Sequence, residues 1–208
     1  AEALPARRTS AYERGMSRWT RLALLALLVG CSSPHESAPA SSAPSEHARP
    51  RDQAEDIAGG IAWHVEEPLV ARAPSSDARA AEYVVRDHPE AQLAVFHFGP
   101  GQGGSVDDNV HRWVEQFRQP DGRPSSEVAQ ITHRDASGLP ITLVDVSGHY
   151  GGMGASGAAT DASDQRMLGA IVEGPEGLVF FKLIGPADVV EVARDSFERM
   201  LGTIHPLG

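Results

Sequence analysis

The chain has 208 residues, 41% of them hydrophobic, which suffices for one domain with a substantial core. Its formal net charge is −10, and the first 30 residues carry five Arg against two Glu, so the remainder is more acidic still. That balance argues against nucleic acid as a partner, because phosphate contacts need clustered Lys and Arg. A single cysteine, Cys31, excludes an intrachain disulfide and a cysteine-based zinc site.

Residues 1–15, AEALPARRTSAYERG, fit no secretion logic; the sequence predicts Met16 as the start and a disordered extension before it. Residues 16–30 have the layout of a signal peptide. Arg18 and Arg21 form the basic flank and Leu22 to Gly30 a short apolar run, below the roughly 20 residues a membrane span needs. The ending Leu28-Val29-Gly30-Cys31 resembles the lipobox of bacterial lipoproteins. The resemblance implies a lipid on the Cys31 sulfur and further acylation after cleavage, and two or more chains anchor stably where one is marginal. The implied address is the cell envelope, facing the periplasm, with inner and outer membrane both open.

Residues 31–56 are rich in Ser, Pro and Ala, a composition that buries too little apolar surface to order itself. As a flexible tether it would reach roughly 25 to 30 Å r.m.s..

A folded domain is predicted over 57–208. Gly60 to Val65 reads as an entry strand anchored by Trp63, the second half of Ala78 to Arg86 as a strand, and Ala91 to Phe98 as a clearer one. After Gly99-Pro100-Gly101, Ser105 and Asp108 have capping-box spacing and Asp107 adds charge favoured by the helix dipole. Val110, Trp113, Val114 and Phe117 recur at helical spacing, predicting a helix that runs to about Gln119. Burial of Trp113 and Phe117 should contribute on the order of 2 to 3 kcal/mol each. Glu127 to Arg134 and Leu139 to Gly148 read as a hairpin, Tyr150 to Asp164 as a long Gly/Ala/Ser loop. Arg166 to Glu173 and Leu178 to Ile184 read as a second hairpin. A final helix begins at Pro186, buries Val189, Ala193, Phe197, Met200 and Leu201, and stops at Gly202. The order predicts an α+β fold: an antiparallel sheet with helices packed on it.

The stretches AEYVV, AQLAVFHFG, GGSVDDNVHRWVEQF and RMLGAIVEGPEGLVFFKLIG, with the closing helix, resemble the PsbP-like superfamily over roughly residues 60 to 206. Most specific is the Gly-Gly pair followed by Asn109-Val110, Arg112-Trp113 and Gln116-Phe117. The closest likeness within it is to uncharacterised bacterial lipoproteins. The resemblance implies an α/β/α sandwich. It also implies a protein-binding role without catalysis, since the superfamily holds a photosystem accessory protein and a Ran-binding import factor. It supplies no catalytic residues to carry over.

Asn109, Arg112 and Gln116 lie at i, i+3 and i+7, a polar stripe away from Trp113. They are the candidate face for an unknown envelope partner, with the Tyr150 to Asp164 loop beside them; the bland alternatives are a solvated face or a tie to a neighbouring loop. The nine histidines form no metal-ligand spacing, and the glycine-rich loop has no lysine for phosphate. There is no Gly-x-Ser-x-Gly elbow, so neither enzyme nor cofactor is expected. Lys182, the only lysine among 18 basic residues, reads as a coding bias. The alternative function is a small-ligand or metal-binding lipoprotein, less readily a hydrolase. An apolar pocket with convergent polar groups separates these classes, and the strands promise few such groups.

Overall fold

The structure, a computed structural model, describes residues 55–152 and 162–208. Cys31, the signal-like segment, most of the tether and most of the Tyr150 to Asp164 loop lie outside the described residues.

The chain enters through a small hairpin, β1 (Asp56–Ala58) and β2 (Ile61–Trp63). Gly59 and Gly60 turn it with φ of 59° and 75°, the left-handed pair that a two-residue hairpin needs. Strands β3 (Leu69–Arg72), β4 (Arg79–Val85) and β5 (His88–His97) then start the main sheet. Helix α1 (Val106–Val114) follows, then β6 (Phe117–Arg118), a 3-10 turn at Ser125–Glu127, β7 (Gln130–Ala136) and β8 (Leu139–Tyr150). The chain closes with β9 (Ala162–Gly174), β10 (Gly177–Pro186), α2 (Ala187–Thr203) and β11 (His205–Pro206).

Among the described residues every strand pairing is antiparallel. The main sheet has eight strands in the order β3-β4-β5-β10-β9-β8-β6, with β7 also paired to β8, and β1-β2-β11 form a second, three-stranded sheet. The fold class is α+β, an antiparallel sheet flanked by helices, as the sequence predicts.

Strand alternation divides the side chains between two faces. On one face Leu93, Val95, Val179, Phe181 and Leu183 pack with the apolar stripe of α2, including Val190, Phe197, Met200 and Leu201. Trp63, edge-on to Phe181 at 5.1 Å, joins the small sheet to this core, and its indole N–H donates to the Tyr83 hydroxyl at 2.9 Å. On the other face Val144, Val146, Met167, Ile171 and Phe180 pack with Trp113 and Val114 of α1. Gly169 makes room for this second core: a Cβ there would lie 2.6 Å from the Trp113 ring.

Three boundaries differ from expectation. Helix α1 starts as predicted, with the Ser105 hydroxyl oxygen accepting from the Asp108 N–H at 3.1 Å, but it ends at Val114. Phe117 leaves it because its backbone pairs with Tyr150 and its ring packs 5.0 Å from the Tyr150 ring. At the other end of the chain, Pro186 caps α2 instead of opening it. That helix passes Gly202 to Thr203, whose hydroxyl donates to the Met200 carbonyl at 2.7 Å. Among the described residues no helix is long and apolar enough to cross a membrane.

Candidate functional site

Helix α1 has nine residues, so it is about 13 Å long, and with side chains roughly 10 to 12 Å wide. Strands sit about 4.8 Å apart, so a helix of that width covers only two or three of the eight. Its apolar contacts lie toward β8 and β9 and reach Phe180 of β10, and an opening lies beside it over β5 and the adjoining part of β10. The opening is a groove of about 340 Å³, in the size range of small-molecule sites.

Its floor is apolar. Ala94 and Phe96 of β5 lie beside Phe180 and Ile184 of β10, and Phe98, half exposed at 50%, stands at the rim. Phe98 stacks on Phe96 at 6.3 Å and tilts against Phe180 at 5.9 Å. One wall is α1, through Asn109, Arg112 and Trp113, with Gln116 just past its end; Arg79 and Gln92 stand among the lining residues, as does Tyr150.

Lys182 occupies the floor because alternation along β10 sends it to the side of Phe180 and Ile184, while Val179, Phe181 and Leu183 go to the α2 core. Its ammonium donates to Gln116 Oε1 at 2.6 Å and lies 5.6 Å from the Trp113 ring and 5.8 Å from the Tyr150 ring. Burial and the positive charge of Arg112 push its pKa down to about 7 from the ordinary 10.5. Burial pushes the Tyr150 hydroxyl up to about 12, so that group is protonated at neutral pH.

The candidate partner face needs correcting. Asn109 is 1% exposed, and its side-chain amide donates to the carbonyls of Gly103 and Ser105, both at 2.7 Å. It ties the glycine turn to the helix, because the start of α1 lies against that turn. Arg112 donates to Asn109 Oδ1, and Gln116 accepts from Lys182. The three residues are brought together, as their spacing suggested, but they form the wall of a groove and not a flat exposed stripe.

Charge pairing separates Arg112 and Lys182 from most of the described cations. Arg72 and Arg79 meet Glu82; Arg86 meets Glu67, Arg123 meets Asp121, Arg134 meets Glu198 and Arg199 meets Glu66. Arg166 and Arg194 share Asp145 and Glu191. Burial disfavours the Asp145 charge, but hydrogen bonds from Arg166 and Arg194 outweigh it and hold its pKa below the usual carboxylate range. Burial of Glu82 is likewise outweighed, by bonds from the Ser75 backbone and Arg79, so Glu82 is charged and pairs with Arg79. Arg112 and Lys182 meet amide oxygens instead, and among the described residues neither has a carboxylate partner.

Sequence reasoning therefore missed Lys182: a coding bias accounts for the scarcity of lysine and says nothing of where this one lies. The signal was present: a lone lysine at the centre of LVFFKLI, on the period-two face shared with Phe180 and Ile184. The expectation that the strands offer few polar groups beside a pocket is corrected with it. The histidines are dispersed: His97 Nδ1 lies 3.2 Å from the Leu178 carbonyl and His133 Nδ1 lies 3.1 Å from the Thr142 hydroxyl. Among the described residues no three metal-ligating side chains converge.

No family model and no curated protein matches the chain. Among solved structures it is similar to the solution structure of cyanobacterial PsbP (CyanoP) from Synechocystis sp. PCC 6803. The identity is 12% and the TM-score 0.44, over 71% of this chain and 87% of that one. A likeness of that size carries no functional weight. The α+β class rests on the strand order and helices described above.

Proposed function

We propose that the protein is a lipid-anchored, periplasm-facing binding module that takes a small amphipathic anion in the groove beside α1. The observation that carries the reading is the pair Arg112 and Lys182, the two groove cations with no carboxylate partner among the described residues, set over a floor of Phe96, Phe180 and Ile184. In an acidic chain whose other groove cation, Arg79, is paired with Glu82, the Arg112 charge and a Lys182 amine that gains a proton beside an anion suit, over an apolar floor, a ligand with a carboxylate and an apolar body. No turnover is part of the reading. A protein partner on this side of α1 loses support, because Asn109 is buried.

The anchor rests on the sequence: Arg18 and Arg21, the apolar run, and Leu28-Val29-Gly30-Cys31. Radiolabelled palmitate should enter the wild type in cells and not Cys31→Ala; equal labelling of both sinks that part of the reading.

The groove is tested by calorimetry on the full chain, using 3-phenylpropanoate and its uncharged amide. The acid should bind and the amide should bind at least about tenfold more weakly, since a charge-assisted contact is worth roughly 1.5 to 3 kcal/mol. Arg112→Ala should weaken the acid by a similar factor. Equal affinity for acid and amide, or no binding of either, overturns the reading.

A further inference from the structure

We propose that Lys182 captures its ligand covalently, as an imine, which narrows the ligand class to amphipathic oxo acids and aldehydes whose carbonyl carbon lies over the groove floor. The inference rests on the anion-binding reading, because Arg112 is what would hold the acid group of such a ligand beside the amine.

Three observations support it. Imine formation needs an amine with a free lone pair, and a lysine held by a carboxylate keeps its proton. Lys182 has no carboxylate among the described residues; its partner is the Gln116 amide oxygen, which accepts an N–H from either the charged or the neutral amine. Desolvation and a neighbouring cation are the two means by which proteins activate a lysine nucleophile, and both act here. The burial and the Arg112 charge that lower its pKa leave a large neutral fraction near pH 7. Finally, the Trp113 and Tyr150 rings lie 5.6 and 5.8 Å from the nitrogen, where they would stabilise the cationic protonated imine.

The step balances without oxidant or reductant. The nitrogen lone pair bonds to the carbonyl carbon, and the carbonyl π pair moves to oxygen, which takes one proton from nitrogen. The carbinolamine then loses the second N–H proton and its hydroxyl as water, leaving a carbon–nitrogen double bond. Hydrolysis reverses the sequence and releases the ligand.

Because Lys182 is the only lysine, the test is clean. The full chain is incubated at pH 7 with phenylpyruvate and cyanoborohydride, which supplies the trapping hydride, and adducts are located by peptide mass mapping. We expect a reduced adduct on Lys182, formed at least tenfold faster than on Nα-acetyl-lysine and suppressed by 3-phenylpropanoate. Its rate should rise with pH and level off above about 7, not near 10.5. Lys182→Arg removes the primary amine and should form no adduct at position 182. Trapping no faster than on Nα-acetyl-lysine, or none, overturns the imine. Binding of 3-phenylpropanoate, measured in the same preparations, then shows separately whether the anion site stands.

Discussion

Replacing Lys182 with Met keeps the length of the side chain and removes the amine that α1, Trp113 and Tyr150 enclose. A fall in pKa from 10.5 to about 7 corresponds to roughly 5 kcal/mol against the charged form in the folded state. Met also forfeits the amine's bond to Gln116 and leaves that amide oxygen unpaired, which offsets about 1 to 2 kcal/mol of that. Lys182→Met should therefore be more stable than the wild type by about 3 kcal/mol at pH 6. Between about 7 and 10.5 the unfolded lysine holds more protons than the folded one, so the wild type gains stability as pH rises and the gap closes. Urea unfolding followed by circular dichroism, on both proteins at pH 6 and pH 9.5, measures the two differences. A variant no more stable at pH 6, or a gap that does not shrink by pH 9.5, would refute the reasoning that the amine is buried at a cost.

Asn109→Ala leaves the Gly103 carbonyl without its side-chain donor, the Ser105 carbonyl with only the backbone N–H of residue 109, and Arg112 without its anchor. Chemical denaturation should show a loss of about 2 to 3 kcal/mol, and calorimetry a weaker 3-phenylpropanoate site. Gly169→Ala sets a methyl 2.6 Å from the Trp113 ring, so it should destabilise by about 1 to 3 kcal/mol and shift the tryptophan emission. Trp113→Ala should cost about 3 to 5 kcal/mol; a loss under about 1 kcal/mol would mean α1 does not close the second core.

What the sequence discloses follows the range of each interaction. The start of α1 is local, set by Ser105 and Asp108 three residues apart, and α2 declares itself through a stripe of five residues that are all buried. The end of α1 is not local. Phe117 continues the helical spacing, yet it serves a strand pairing with Tyr150, thirty-three positions away. Strand β3 went unread because Leu69–Arg72 is short, and its pairing with β4 is what makes it a strand. The same division governs the site. Alignment of Asn109 and Arg112 is a property of one helix, whereas Gln116 lies beyond its end and the burial of Asn109 depends on the glycine turn packed against it. Lys182 carries no chemical signature in isolation. Its meaning comes from Gln116, Trp113 and Tyr150, which two other segments bring to it.

The central claim is that a ligand's negative charge seats beside Lys182. Protein grown with ¹³Cε-lysine gives one labelled side-chain resonance, because the chain has one lysine. Titration with 3-phenylpropanoate should move that resonance saturably, with the Kd found by calorimetry. The pH midpoint of the amine should start near 7 and rise when the carboxylate is bound, since an adjacent negative charge favours the ammonium. A resonance that stays fixed while the ligand saturates, or a midpoint near the ordinary 10.5 in the free protein, would contradict the account.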